Sequence, residues 1–130
     1  MKKLNEDFAV RNKILFGKKN DDDWMGGTKH FENMSVNTLA KLLENNFIDP
    51  DDTQNSSPTV EEFFEFMKQY PKMKAHGYAV SHERPDYRIS IEGLSLEGKY
   101  TKKMLLDFVH FARQSDEFTA DENGLYCWWD

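Results

Sequence analysis

The sequence predicts an α+β fold in which a small, mainly antiparallel, three-stranded sheet packs with three to four helices. Three observations lead to this prediction. Apolar residues recur at helical spacing before and after residues 74–96, and within 74–96 the pattern changes to alternation. Residues 125–129 are again large and apolar at successive positions, as in a short strand. The predicted sheet therefore consists of a hairpin over 74–96 and a C-terminal strand over 125–129.

The N-terminal quarter is predicted to be a helix followed by an irregular loop. Residues 4–16 contain apolar residues in an imperfect helical stripe. Residues 17–33 contain three consecutive Asp, a Gly-Gly pair and almost no periodicity, which is typical of a loop. The chain has no internal repeat and no linker long enough to divide it. We therefore expect a single domain over 1–130, in which 1–34 are attached to a core formed by 35–130.

Three further helices are predicted by their N-terminal capping residues. Ser35 precedes apolar residues at helical spacing and is a good N-cap. Thr59 and Glu62 have the spacing of a capping box, in which each side chain binds the backbone N–H of the other residue. Thr101 caps a helix that we expect to end near Gln114. The apolar residues of this last helix occupy more than one face, so we expect it to be mostly buried.

The positions of the apolar residues in the predicted strands lead to two further expectations, one for the hairpin and one for the C-terminal strand. In the second strand of the hairpin, apolar residues occupy odd positions from Tyr87 to Ile91 and even positions from Leu94 to Leu96, and Gly93 lies at the change. This shift predicts a β-bulge or a strand break at Gly93. In the C-terminal strand, large apolar residues point to both sides. We therefore expect both of its faces to be covered, by helices or by a second copy of the chain.

Composition and charge exclude several classes of function. The 130 residues carry a net charge of −6, which disfavours nucleic acid and anionic membranes as partners because it repels phosphate groups. No apolar run is long enough to cross a bilayer, and the first residues lack the apolar core of a signal peptide, so we expect a cytoplasmic protein. Cys127 is the one cysteine, which rules out an internal disulfide and fits a reducing compartment.

No pattern in the sequence indicates a catalytic centre or a metal site. The four His residues lack the spacing of a metal-binding motif, and Cys127 lies among aromatic residues, which favour an unreactive structural thiol. The loop from Asp51 to Glu62 resembles a calcium loop in several ligand positions, but Ser56 replaces the Gly that the turn requires. We therefore predict no cofactor and no metal, and we favour a protein that is not an enzyme.

Acidic residues concentrate in one segment of the chain. Residues 20–65 contain eleven acidic and two basic residues. An acidic surface attracts a basic partner and raises the rate of association. We therefore expect a non-enzymatic protein-interaction module with a basic protein partner. The predicted partner-binding residues are Asp49, Asp51, Asp52, Glu61, Glu62 and Glu65.

The hairpin provides the alternative hypothesis, a small enzyme or ligand-binding domain with a pocket over residues 76–92. Titratable side chains are dense there, and an Arg fork beside a phenol can bind a carboxylate or a phosphate. The predicted ligand-binding residues are Tyr78, Arg84 and Arg88. A cross-strand ladder of opposite charges would explain the same composition without a ligand. A third hypothesis is a homodimer that forms through the C-terminal strand or the helix capped by Thr101.

Overall fold

The computed structural model describes residues 4–17, 27–81 and 84–130, and this part of the chain forms four helices and one five-stranded sheet. The strands lie in the order β1-β2-β3-β5-β4, and each neighbouring pair is antiparallel. The predicted α+β class and the antiparallel sheet are confirmed. In chain order the elements are α1 (Phe8–Phe16), β1 (Thr28–Met34), α2 (Val36–Glu44), α3 (Val60–Gln69), β2 (Lys74–Val80), β3 (Ile89–Glu97), α4 (Lys102–Phe111), β4 (Glu117–Asp121) and β5 (Gly124–Trp128).

The predicted number of strands is wrong, because the sheet has five strands and not three. β1 begins within the residues that we assigned to the irregular loop and ends one residue beyond them, at Met34, and β4 lies just before the C-terminal strand. In β1 only Phe31 and Met34 are buried, and all five residues of β4 are exposed. β1 therefore lacks the regular alternation of apolar residues that predicts a strand, and in β4 this alternation is limited to Phe118 and Ala120. Residues 18–26 of the predicted loop lie outside the described residues.

The capping residues predicted from the sequence begin their helices. The Ser35 hydroxyl accepts a hydrogen bond from a backbone N–H of the first turn of α2, at 3.2 Å. In the capping box, Glu62 N donates to the Thr59 hydroxyl at 3.1 Å, and Thr59 N donates to the Glu62 carboxylate at 3.0 Å. The Thr101 hydroxyl accepts from the first turn of α4 at 3.1 Å. These bonds satisfy N–H groups that have no partner within a helix.

The helix α4 differs from its prediction in length and in burial. It ends at Phe111 rather than near Gln114, and Phe108 is its one buried residue. Leu106 and Val109 are 57% and 45% exposed. The helix turns one side to the core and the other to solvent. Part of the apolar surface that we expected to be buried therefore lies at the surface.

The β-bulge predicted at Gly93 is confirmed. His76 pairs with Gly93 and Gly77 pairs with Ile91, which leaves Glu92 as an extra residue in β3. The extra residue shifts the alternation by one position, so the apolar residues on both sides of the bulge reach the core. The bulge therefore lets a single strand bury two sets of apolar side chains that are out of phase in the sequence.

The two faces of β5 have different surroundings. Cys127 and, just beyond the strand, Trp129 are buried in the core with residues of the helices, whereas Tyr126 and Trp128 point to the other face and are half-buried. The described helices pack on one face of the sheet. Our expectation that helices cover both faces of β5 is therefore wrong. β5 lies between β3 and β4, so neither of its edges is open, and coverage of its other face by a second copy stays a prediction.

A buried arginine attaches α1 to the sheet. Arg11 Nη1 donates to the Val80 carbonyl at 2.7 Å, and Nε and Nη2 donate to Asn12 Oδ1 at 3.0 and 2.8 Å. The guanidinium also lies 5.0 Å from the centre of the Tyr87 ring. Burial lowers the pKa of Arg11, and Tyr87 acts in the opposite direction. Polar bonds therefore supplement the apolar contacts of α1, whose stripe is imperfect.

Candidate binding surface on the open face of the sheet

The face of the sheet opposite the helices contains a hollow of about 480 Å³, which we call the open-face hollow. Residues that pair across neighbouring antiparallel strands point to the same face of the sheet. His76 on β2, Gly93 on β3 and Trp128 on β5 form one such row, and Ser95 and Tyr126 lie in the next. The residues that line the hollow are His30, Phe31, Glu32, Asn33, His76, Gly77, Glu92, Ser95, Glu97, Tyr126 and Trp128.

His76 is held firmly in the floor of the open-face hollow. Its ring stacks on Tyr126 with a centroid distance of 5.2 Å and an angle of 4° between the planes, and Nε2 lies 3.1 Å from the Cys127 carbonyl. A carbonyl only accepts hydrogen bonds, so Nε2 carries the proton. Burial lowers the pKa of His76, and the Cys127 carbonyl and Glu32 act in the opposite direction. Gly93 makes room for the ring, since a Cβ there would meet both the His76 ring and the Cys127 carbonyl.

The charged groups of the open-face hollow are carboxylates. Glu32, Glu92 and Glu97 come from β1 and β3, and none of the described residues that line the hollow is Lys or Arg. Burial raises the pKa of Glu92, while His30 and a hydrogen bond with the Trp128 side chain act in the opposite direction. Carboxylates attract cations and accept their N–H groups, and the faces of aromatic rings attract cations as well. The hollow therefore combines two features that suit a cationic ligand.

The predicted ligand residues on the hairpin lie together but do not line the open-face hollow. The Arg88 guanidinium donates to the Tyr78 hydroxyl at 2.7 Å. Arg84 donates to both carboxylate oxygens of Asp86, at 2.9 and 2.6 Å, and Arg88 lies 3.6 Å from the same carboxylate. The hydrogen bond from Arg84 lowers the pKa of Asp86. Asp86 therefore occupies the position that a bound anion would take between the two arginines.

The predicted partner-binding carboxylates lie in the loop before α3 and on α3 itself, and none of them lines the open-face hollow. Several of them already have partners within the chain. The Asp49 carboxylate accepts from Asp51 N at 2.9 Å, Glu62 completes the capping box, and Glu65 lies 2.8 Å from Lys68 Nζ. That these residues bind a partner stays a prediction. The full set is Asp49, Asp51, Asp52, Glu61, Glu62 and Glu65, and all six are exposed or half-buried.

A larger hollow of about 630 Å³ lies between α3 and α4, but its charged groups already have hydrogen-bond or charge partners within the chain. Lys103 Nζ lies 2.9 Å from the Asp107 carboxylate, which also accepts a hydrogen bond from the Tyr70 hydroxyl. These two bonds lower the pKa of Asp107, and the one from Lys103 has the larger effect. Arg113 donates to the His110 carbonyl at 2.8 Å. Because these charges are already satisfied, this hollow offers a weaker basis for recognising a charged partner.

Cys127 behaves as the structural thiol that the sequence indicates. Its side chain is fully buried, and burial raises the pKa of the thiol to about 12. The thiolate, which is the reactive form, is therefore scarce near neutral pH. Among the described residues, no group of three or more His, Cys, Asp or Glu side chains is arranged to hold a metal ion.

Several residues of the open-face hollow were missed as site residues in the sequence. His30 and Glu32 fell in the predicted loop, and Tyr126 and Trp128 were assigned to a strand covered on both faces. The alternation of His76 and Tyr78 in the hairpin is the available signal, because it predicts a polar and aromatic face of the sheet. The sequence does not show which strands extend that face.

Comparisons with protein-family models, with curated proteins and with solved structures give no significant match for this chain. Within the described residues, none of the helices has the length and apolar character needed to span a membrane.

We expect the free energy of unfolding to fall as the pH is lowered from about 7 to about 5, and His76→Gln to reduce this dependence. Because burial lowers the pKa of His76 in the folded state, the unfolded chain binds the proton more readily. Stability that is present above the ordinary pKa of about 6.5 is then lost as the pH falls. Glu92 contributes a pH dependence of the opposite sign. Its pKa is raised in the folded state, so the folded chain binds this proton more readily and gains stability from it as the pH falls.

Urea denaturation at a series of pH values measures this effect. If His76→Gln and the unmodified protein have the same pH dependence, His76 does not cause it.

Proposed function

We propose that this protein is a non-enzymatic binding domain that receives a basic segment of a partner protein in the open-face hollow. The observation that carries the proposal is the presence of carboxylates and half-buried aromatic rings in one concave site, on the face of the sheet that the described helices leave uncovered. Glu32, Glu92 and Glu97 supply the carboxylates, and Tyr126 and Trp128 supply the rings.

This combination suits the side chains of Arg and Lys. Carboxylates accept the N–H groups of a guanidinium or an ammonium, and aromatic faces attract the charge. The apolar stems of Arg and Lys can pack on the same rings. The net charge of −6 adds attraction for a basic partner at longer range.

The geometry gives less support to the alternative of an anion-binding pocket at Tyr78, Arg84 and Arg88. Both arginines face Asp86, so a carboxylate or phosphate ligand would have to compete with a carboxylate of the same chain. A ligand that binds Arg88 would also compete with the Tyr78 hydroxyl, which accepts a hydrogen bond from the Arg88 guanidinium. None of the described residues that line the open-face hollow is Lys or Arg, so a basic ligand there would not compete with an arginine or lysine of the same chain.

Calorimetric titration with a short peptide of alternating Arg and Thr tests the proposal. We expect binding that weakens as salt is added, because charge pairs are screened. Glu32→Gln combined with Glu92→Gln should reduce the affinity about 10-fold, since each charge pair contributes up to about 1 kcal/mol. Trp128→Ala should also reduce it about 10-fold, because aromatic side chains are frequent binding hot spots.

The matched control removes the same charge from another surface. Glu61→Gln combined with Glu65→Gln changes two of the partner-binding carboxylates predicted from the sequence, and we expect it to alter the affinity by no more than about 2-fold. A large loss in this control with none in the Glu32 and Glu92 variant would move the site to α3 and contradict the proposal. So would a failure of the unmodified protein to bind the Arg-Thr peptide.

A further inference from the structure

β4 forms an edge of the sheet with backbone groups that face outward. All five of its residues are exposed, and among the described residues it pairs only with β5. An edge strand presents unpaired N–H and C=O groups on which another strand can form. Natural edges are often protected by charged side chains, especially Lys, or by Pro. β4 contains no Lys or Pro, and its charged side chains are the carboxylates of Glu117 and Asp121. One carbonyl, that of Asp121, is bound by the Tyr100 hydroxyl at 2.7 Å.

The side chains of β4 disfavour a second copy of this chain as the added strand. Glu117, Thr119 and Asp121 alternate along the strand and therefore share one face. In an antiparallel pair of copies centred on Thr119, Glu117 of each copy would lie opposite Asp121 of the other. Like charges at directly opposite positions are destabilising. A strand with basic residues at these positions would instead meet a carboxylate near each end.

The acidic side of β4 is continuous with the open-face hollow. Glu117 pairs with Trp128 and Thr119 pairs with Tyr126, and both aromatic residues line the hollow. Neighbouring strands lie about 4.8 Å apart, so a strand added to β4 would be about 10 Å from β5. Long basic side chains on that strand would extend over Glu117 towards Trp128.

We infer that β4 binds an extended basic segment of the partner protein as a sixth strand, with Arg or Lys beside Glu117 and Asp121. Backbone hydrogen bonds provide affinity in this mode of recognition, and alternate side chains provide specificity. The adjoining part of the same segment lies over the open-face hollow. The inference rests on the proposed function for the basic character of the partner and adds the way in which the partner binds.

Two N-methylated forms of the Arg-Thr peptide test the backbone pairing. Alternate N–H groups of a strand point to opposite edges. One peptide is methylated on every Arg amide and the other on every Thr amide, so only one of these two methylation frames blocks the N–H groups that face β4. We expect one frame to bind about 30-fold more weakly than the unmethylated peptide, through loss of backbone hydrogen bonds, and the other to bind like it. Equal affinity of the two frames would overturn the inference and leave the proposed function standing. Absence of binding by the unmethylated peptide would overturn the proposed function itself.

Amide hydrogen exchange locates the added strand on the protein. Peptide binding should slow exchange in β4 by about 10-fold or more, because its outward N–H groups become hydrogen-bonded. β1 is the other edge of the sheet and serves as the internal control, with unchanged exchange. Protection of β1 in place of β4 would overturn the inference.

Charge variants and the oligomeric state test whether a basic segment or a second copy of this chain pairs with β4. Glu117→Gln should weaken peptide binding about 3-fold, whereas Glu122→Gln, the same change in the turn after β4, should leave it unchanged. An equal loss in both variants would count against a role for Glu117 at the edge. Light scattering without peptide should show a monomer, and a dimer that protects β4 from exchange would overturn the basic segment as the occupant.

Discussion

Trp129→Ala is expected to lower the free energy of unfolding by about 3–5 kcal/mol. The side chain is 1% exposed and packs edge-on against Phe63 and Phe111, with ring centroids 5.6 and 6.3 Å away. Its removal leaves a cavity at the contact of the sheet with α3 and α4, and a close-packed core relaxes only partly around such a cavity. Urea denaturation followed by far-ultraviolet circular dichroism measures the loss.

The neighbouring tryptophan provides the matched control. Trp128→Ala removes the same side chain from the open face, where it is half-buried, and we expect a loss of about 1–2 kcal/mol. The two variants should also separate in function, because Trp128 lines the open-face hollow and Trp129 does not. Equal losses of stability would contradict the assignment of Trp129 to the core and of Trp128 to the face that the described helices leave uncovered.

Gly93→Ala is expected to lower the free energy of unfolding by about 3 kcal/mol, although it adds a single methyl group. A Cβ at this position would collide with the Cys127 carbonyl and with the ring of His76. The carbonyl belongs to the backbone of β5 and cannot rotate away, so the strands themselves must separate. Denaturation measures the loss, and the NMR signals of the His76 ring report its displacement from Tyr126.

Gly98→Ala is the control for this variant. Gly98 has a φ of 101°, and an added Cβ would meet no atom within 4 Å. Its substitution therefore measures the cost of an unfavourable backbone conformation without a collision, which we expect to be about 1–2 kcal/mol. A loss at Gly93 no larger than that at Gly98 would show that β3 and β5 can move apart at little cost.

The parts of the fold that the sequence predicts correctly depend on local signals. Thr59 and Glu62 meet within one helical turn, and the bulge at Gly93 is visible as a change of phase over a few residues. β1 was missed because it buries only two side chains and lacks regular alternation, and β4 was missed because its alternation is limited to Phe118 and Ala120. α4 was predicted to be too buried because periodicity shows that a residue is apolar, not that another element covers it.

The candidate site was less predictable because the order of the strands assembles it. Glu32 joins His76 only because β1 pairs with β2, and Trp128 joins them because β5 pairs with β3. Alternation places Tyr126 and Trp128 on one face of a strand. It does not reveal that this face is the one that the helices leave uncovered, since that depends on how helices distant in sequence pack on the sheet.

The interior position of β5 has a consequence for the kinetics of folding. This strand and the residues after it bind parts of the chain that are distant in sequence: the His76 ring meets the Cys127 carbonyl across 51 positions, and the Asn55 side chain meets the Asp130 carbonyl across 75. Contacts between distant residues form slowly, because closing a long loop costs conformational entropy. Until β5 docks, β3 has an unprotected apolar edge that can pair with other molecules. The yield of refolding therefore depends on how quickly this strand enters the sheet relative to the rate at which incomplete molecules collide.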